Sequence, residues 1–117
     1  MNYIELEVWK EARSLVKTIY EITKSFPTEE IYGLTSQIRR CSISIPSNIA
    51  EGCGRKTSKE SIHFFHIARG SLYELETQMY LALDQEYIRM DIHQEIIKNI
   101  THCKKLLNGF INYYKSL

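Results

Sequence analysis

Apolar residues return every three or four positions through four stretches of the chain, the spacing of one helical face. In the first, Val8, Ala12, Leu15, Ile19, Ile22 and Phe26 advance by steps of 4, 3, 4, 3 and 4, and Pro27 stops the run. The second opens near Gly33 with Leu34, Ile38, Cys41 and Ile45, and fades at Gly52 and Gly54, residues suited to a helix end. Pro46 falls inside this pattern, so a kink or a one-turn break is expected there. Thr57 and Glu60 have the spacing of a capping box and open the third stretch, with Phe65, Ala68, Leu72, Leu75, Met79 and Ala82 as its stripe. Asp91 is the expected N-cap of the fourth, which carries Ile96, Ile100, Cys103, Leu107, Phe110 and Tyr114. A fourth helix of about 26 residues would be about 39 Å long. The 3-4 alternation and the short connections predict an all-α fold, an antiparallel up-down-up-down four-helix bundle.

Composition narrows the class. A chain of 117 residues and 13.8 kDa fits one domain over residues 1–117 and buries enough surface to fold without metal or disulfide. With 44% hydrophobic and 25% charged residues, wholesale disorder is excluded. Five Gly and two Pro are too few for a turn-rich β sandwich or barrel. No window holds 18 uncharged apolar residues, so no membrane span is expected. The first ten residues include Glu5, Glu7 and Trp9, unlike a secretory signal. Three widely spaced cysteines, Cys41, Cys53 and Cys103, read as free thiols in a reducing cytoplasm.

The chain has more apolar surface than four stripes need. Ile62, Phe64 and Ile67 lie off the third stripe, and Tyr73, Tyr80 and Tyr87 recur every seven residues along another edge. Trp9, Val16 and Tyr20 widen the first helix; Ile92, Ile97, Leu106, Ile111 and Tyr113 widen the fourth. Either the stripes are broad with half-buried flanks, or some of this surface meets other copies of the chain.

Net charge is only +1, but it is unevenly spread. Residues 31–60 carry Arg39, Arg40, Arg55, Lys56 and Lys59 against Glu51 and Glu60, a local +3. Arg55, Lys56 and Lys59, beside Gly52 and Gly54, predict a compact basic corner. It is either a solvated loop or a phosphate-contacting patch that assembly would multiply. No aromatic stacking platform is evident beside it.

Reaction chemistry finds little footing. Glu60 and His63 form a Glu-x-x-His pair, the spacing used by di-iron bundles, but no second copy of the motif occurs and no metal is expected. Gly52-x-Gly54 follows no strand, so no phosphate loop is read there, and nothing resembles a nucleophile elbow. The chain is therefore read as a non-enzyme without cofactor. Another segment is unusual. Arg40, Ser44, Ser47 and Glu51 advance by 4, 3 and 4 with Asn48 at their border, a polar stripe through a proline-containing helix. It suggests close packing of small residues and a buried or half-buried network linking Arg40 to Glu51, or else a ligand contact.

Gln37-Ile38-Arg39-Arg40, then Ser44-Ile45-Pro46-Ser47-Asn48-Ile49-Ala50-Glu51-Gly52, then Arg69-Gly70-Ser71-Leu72-Tyr73-Glu74-Leu75-Glu76-Thr77-Gln78 resemble the signature of the bacterial four helix bundle protein family. That family includes proteins encoded in intervening sequences of 23S ribosomal RNA genes. Leu6-Glu7-Val8-Trp9 and Phe26-Pro27 followed by Tyr32-Gly33-Leu34 fit as well, so the match spans residues 6 to 88. The resemblance implies a bundle assembled as a ring, pentameric in known members. It also implies kinship with accessory proteins of diversity-generating retroelements, which work with a reverse transcriptase and nucleic acid. The expected function is a ring-forming binding or scaffold protein for RNA, DNA or a ribonucleoprotein, with Arg39, Arg40, Arg55, Lys56 and Lys59 as contacts. Gln37, Arg40, Ser44, Ser47, Asn48 and Glu51 form the expected polar network. A protein-only adaptor, or an enzyme centred on Glu60 and His63, are the alternatives.

Overall fold

The computed structural model describes residues 2–117, and among these the ordered elements are helical. A 3₁₀ turn at Tyr3–Glu5 leads into α1, Glu7–Thr23; a second at Thr28–Glu30 precedes α2, Leu34–Cys53. Helix α3 is Ser58–Asp84 and α4 is Met90–Lys115. Helix α2 packs on α1 and α3, and α4 packs on α3 and α1, while the diagonal pairs do not approach within 8 Å between Cα atoms. The molecule measures 45 × 25 × 21 Å, so its length is that of one long helix.

The ends of the helices depart from the simplest sequence reading in instructive ways. Helix α1 stops at Thr23, three residues before the end of its apolar stripe. Phe26 is still buried, because the link folds its ring onto Tyr87 with centroids 5.3 Å apart. The proline at 27 disfavours helical backbone at Phe26 but leaves its side chain free to fill the core. Helix α2 runs through Pro46 without the expected one-turn break. The pyrrolidine removes one backbone donor, and fully buried Ile45 and Ile49 on either side hold the helix in place.

Thr57 caps α3 as its spacing predicts, its hydroxyl accepting from the Glu60 N–H at 3.2 Å. Helix α4 is different: Arg89, not Asp91, is the N-cap. Asp91 lies in the first turn and is engaged by the Arg89 fork at 3.1 and 2.9 Å, a pairing that draws its carboxylate away from the cap. Between α3 and α4, Tyr87 N–H bonds Ala82 O and Glu86 N–H bonds Leu83 O, a Schellman closure. Glu86 occupies its left-handed position with φ 62°, where glycine is usual, so no sequence signal announced it.

One cluster of buried side chains draws on all four helices, with Phe65, Leu72, Leu75, Ile19, Ile38 and Ile100 fully enclosed. The surplus apolar residues divide. Ile111 belongs to the core, and Trp9, Ile62, Ile97 and Leu106 are broad-stripe flanks packed against it. Tyr20, Ile67, Tyr73, Tyr80 and Tyr113 remain exposed.

Helices α2 and α3 pack tightly at Gly52, which is buried. A Cβ there would strike the ring of Phe65 and lie 2.9 Å from the Ser61 carbonyl oxygen. Gly52→Ala should therefore destabilise the protein by about 2 kcal/mol despite the better helix propensity of alanine. Denaturant melts check this; an unchanged or raised midpoint would show that the two helices can part at no cost.

Candidate nucleic-acid interface

The exit turn of α2 is tight because Gly54 caps it, its N–H 3.2 Å from the carbonyls of both Ala50 and Glu51. The turn delivers Arg55 back over α3. Its guanidinium pairs with Glu51 and lies 4.4 Å from the centre of the Phe64 ring. Arg55, Thr57, Lys59, Glu60, His63 and Phe64 then line one open groove of about 560 Å³, with exposed Lys56 beside it. Lys56 and Lys59 form no ion pair among the described residues. The first turn of α3 opens at the same place, adding the partial positive charge of a helix N-terminus. Glu60 is the opposing charge. The corner also holds aromatic rings, contrary to the sequence expectation: His63 and Phe64 stand edge to face, 5.4 Å apart.

The two remaining arginines lie elsewhere. Arg39 is committed to α1, its Nε donating to Thr23 Oγ1 at 2.8 Å and its guanidinium covering Tyr20 at 4.7 Å. It precedes Arg55 by 16 positions, about 24 Å of helix. Exposed Arg40 lines a separate polar groove with Tyr32, Ser36, Gln37, Ser71 and Glu74. The five expected contacts therefore form no single patch; Arg55, Lys56 and Lys59 do.

The polar stripe also needs correction. Arg40 and Glu51 share one helix and stand 11 residues apart, about 16 Å along its axis, so they cannot meet. Glu51 is taken by Arg55 at the surface. What the small residues build instead is a seam between α2 and α3. Ser44 donates to the Cys41 carbonyl at 2.6 Å and lies 2.7 Å from the Ser71 hydroxyl. A hydroxyl has one proton to give, so Ser71 donates to Ser44. Cys41 Sγ donates to the Ser71 carbonyl at 3.1 Å, and Asn48 Nδ2 to the Ser44 carbonyl at 2.8 Å. Ser47 faces the other way, toward α1, while Gln37 sits with Arg40 on the wall of the polar groove.

Glu60 and His63 are both exposed, and no group of three or more His, Cys, Asp or Glu side chains converges on a common point among the described residues. No helix there is long and apolar enough to cross a membrane.

A model of the 23S rRNA-intervening sequence protein family matches residues 4–109. The chain belongs to that family. The crystal structure of a protein of unknown function from the S23 ribosomal protein family of Bacteroides thetaiotaomicron superposes with a TM-score of 0.79 at 24% identity. The alignment covers 89% of this chain and 97% of that one, and at this identity it speaks for the fold alone. No curated protein matches the chain. In this 23S rRNA-intervening sequence protein, the string from Ser44 to Gly52 lies on α2, the helix of the seam.

Two expectations follow for this family member. Because Glu51 and Arg55 are a half-exposed surface pair, Glu51→Ala should cost less than about 1 kcal/mol in a denaturant melt, whereas a buried network would cost about 3 or more. The thiols give the second. Burial pushes Cys41 up to about 12, with the Glu74 carboxylate adding to it. Burial likewise pushes Cys103 up to about 12, with Glu11 adding, and raises Cys53. Unfolded thiols ionise near about 8.5, so the unfolded chain loses these protons first and stability falls as pH rises from there toward 12. At pH 8 an aromatic disulfide reagent should titrate at most Cys53 in the native protein and all three cysteines in denaturant. Rapid reaction of three native thiols would contradict the burial.

Proposed function

We propose that this protein is a non-enzymatic, ring-forming bundle of antiparallel helices that binds nucleic acid through the corner of Arg55, Lys56 and Lys59. The antiparallel reading is supported by contacts that run in opposite residue order. Along α3 and α4, Phe65 meets Phe110 and Tyr114, Arg69 meets Asn108, Glu76 meets Lys104 and Tyr80 meets His93. Along α2 and α3, Gly52 lies against Phe65 and Ser44 against Ser71. The ring, pentameric by resemblance, is supported by the apolar side chains left exposed on α1, α3 and α4.

The observation that carries the nucleic-acid reading is the composition of one groove. Two cations and two aromatic rings line it at a helix N-terminus, with a third cation, Lys56, beside it. Phosphates favour the cations and the amide dipoles, and bases favour the rings. With Glu60 opposing them and Arg55 partly neutralised by Glu51, one corner reaches two or three phosphates. Its affinity is of order 10⁻⁴ to 10⁻⁶ M at physiological salt, without base specificity. Repetition around an assembly raises this by avidity when one strand reaches several subunits.

Filter retention of labelled RNA and DNA of mixed sequence tests the reading. Arg55→Glu with Lys56→Glu should weaken retention to a similar extent for every sequence, as should added salt. If the unaltered protein retains neither polymer at about 50 mM salt, nucleic acid is abandoned and the corner is read as the contact of a polypeptide adaptor.

A further inference from the structure

Acidic residues are nearly absent from one end of α3 and α4. Within residues 52–73 the only acidic side chain is Glu60, and residues 96–117 contain none. These stretches are the exit of α2, the first half of α3 and most of α4, and they meet where Phe65 packs on Phe110 and Tyr114. On α3, Lys59, His63, His66 and Arg69 follow one another by 4, 3 and 3 positions, a stripe about 15 Å long. Lys59, His63 and His66 are exposed. Arg69 leans toward α4, its Nη1 donating to Asn108 Oδ1 at 3.1 Å. Exposed Lys115, in the last turn of α4, completes the face. Desolvation, and then the positive charges of Arg69, Lys115 and His63, hold the His66 imidazole below its ordinary range, so these four groups crowd one area.

The nearest carboxylates bound this face rather than neutralise it. Glu60 lies in the corner groove with Arg55. Glu76, beyond Arg69 on α3, pairs with Lys104 at 3.0 Å and marks the far end of the face. Glu7 and Glu11 belong to the α1 side of α4, where Glu7 lines a groove with Gly109 and Tyr113 and Glu11 lies 4.0 Å from His102. By contrast Lys59, Arg69 and Lys115 are in no ion pair among the described residues. A row of unpaired cations fits a polyanion. Its first members, Lys59 and His63, also line the corner groove, so the two surfaces are continuous. We infer that a nucleic-acid strand held at the corner runs on along the α3/α4 face, its phosphates passing His66, Arg69 and Lys115. Contacts of this kind hold a strand in place without reading its sequence. The inference rests on the nucleic-acid reading above and adds the path of the strand across the molecule.

Salt titration of binding to mixed-sequence RNA and DNA tests the path. Each cation that contacts a phosphate adds about one to the slope of log K against log salt. Arg69→Gln and Lys115→Gln should each flatten that slope by about one, and the double variant by about two. Lys17→Gln removes the same charge from an exposed position on α1, outside both surfaces, and should leave the slope unchanged. Thermal melts by circular dichroism verify that each variant folds. Lys115 is exposed near the end of α4, so its variant tests the path even where loss of the Asn108 bond disturbs Arg69→Gln. If the unaltered protein retains neither polymer at about 50 mM salt, the nucleic-acid reading itself fails. The strand stops at the corner, and the inference is overturned, under a different result. That result is binding weakened by Arg55→Glu with Lys56→Glu, while Arg69→Gln and Lys115→Gln behave as Lys17→Gln does.

Discussion

The close approach of α2 and α3 is the constraint from which the other features follow. Two helices can bring hydroxyls to 2.7 Å, as Ser44 and Ser71 are, only if small side chains separate their backbones. Gly52 extends that approach to the end of α2, where it gives the Phe65 ring its room. Phe65 then reaches across to α4 and meets Phe110 and Tyr114, each at 4.9 Å between centroids. A missing side chain on α2 thereby becomes the seat of a large one that ties three helices together. Serine and asparagine weaken an isolated helix, and proline removes a backbone donor. Helix α2 holds all three types, so its stability comes from the neighbours it packs between rather than from its own residues.

The opposite end of the bundle is fixed by a different device. The Glu30 carboxylate accepts the Leu34 N–H at 3.1 Å, closing the open start of α2, and accepts the Tyr87 hydroxyl at 2.7 Å from the α3/α4 connection. These two bonds hold the Glu30 carboxyl below the ordinary carboxylate range, the one from Tyr87 first. The carboxylate form is thus the one that joins the two turns, and the junction loosens when acid protonates it. Gly33 leaves room for this arrangement: a Cβ there would lie 2.5 Å from Glu30 Oε1 and would push the carboxylate aside. The bundle is closed at one end by packing around a ring and at the other by a buttressed carboxylate.

The helices and the core were legible because burial imposes a period, and period survives in sequence. Val8 to Ile22, Phe65 to Ala82 and Ile96 to Leu107 all face inward as their spacing requires. What the pattern could not carry was pairing between segments. The stripe from Arg40 to Glu51 was visible, but a stripe on one helix gives no information about which residue on another helix meets it; Ser71, 27 positions after Ser44, supplied the partner. Glu30 and Tyr87 are 57 positions apart and leave no local trace. Arg39 and Arg55 looked alike as charges, yet only three-dimensional placement separates an arginine committed to Thr23 and Tyr20 from one at an open corner. Phe64 was noted as surplus apolar surface, and its place beside Arg55 depends on how sharply the turn bends.

That bend connects the seam to the site. Because α2 and α3 nearly touch at Gly52, the chain must reverse within a few residues, and Gly54 makes the reversal by capping the carbonyls of Ala50 and Glu51. A wider separation would need a longer connection and would carry Arg55 away from Phe64. The small residues that bring the helices together thus also set the distance between a guanidinium and an aromatic ring at the surface. They place both beside the N-terminal end of a 27-residue helix, where unpaired amides point outward. Core packing and the chemistry of the corner are two consequences of one spacing, which is why a change buried at Gly52 would reach the surface without altering any surface residue.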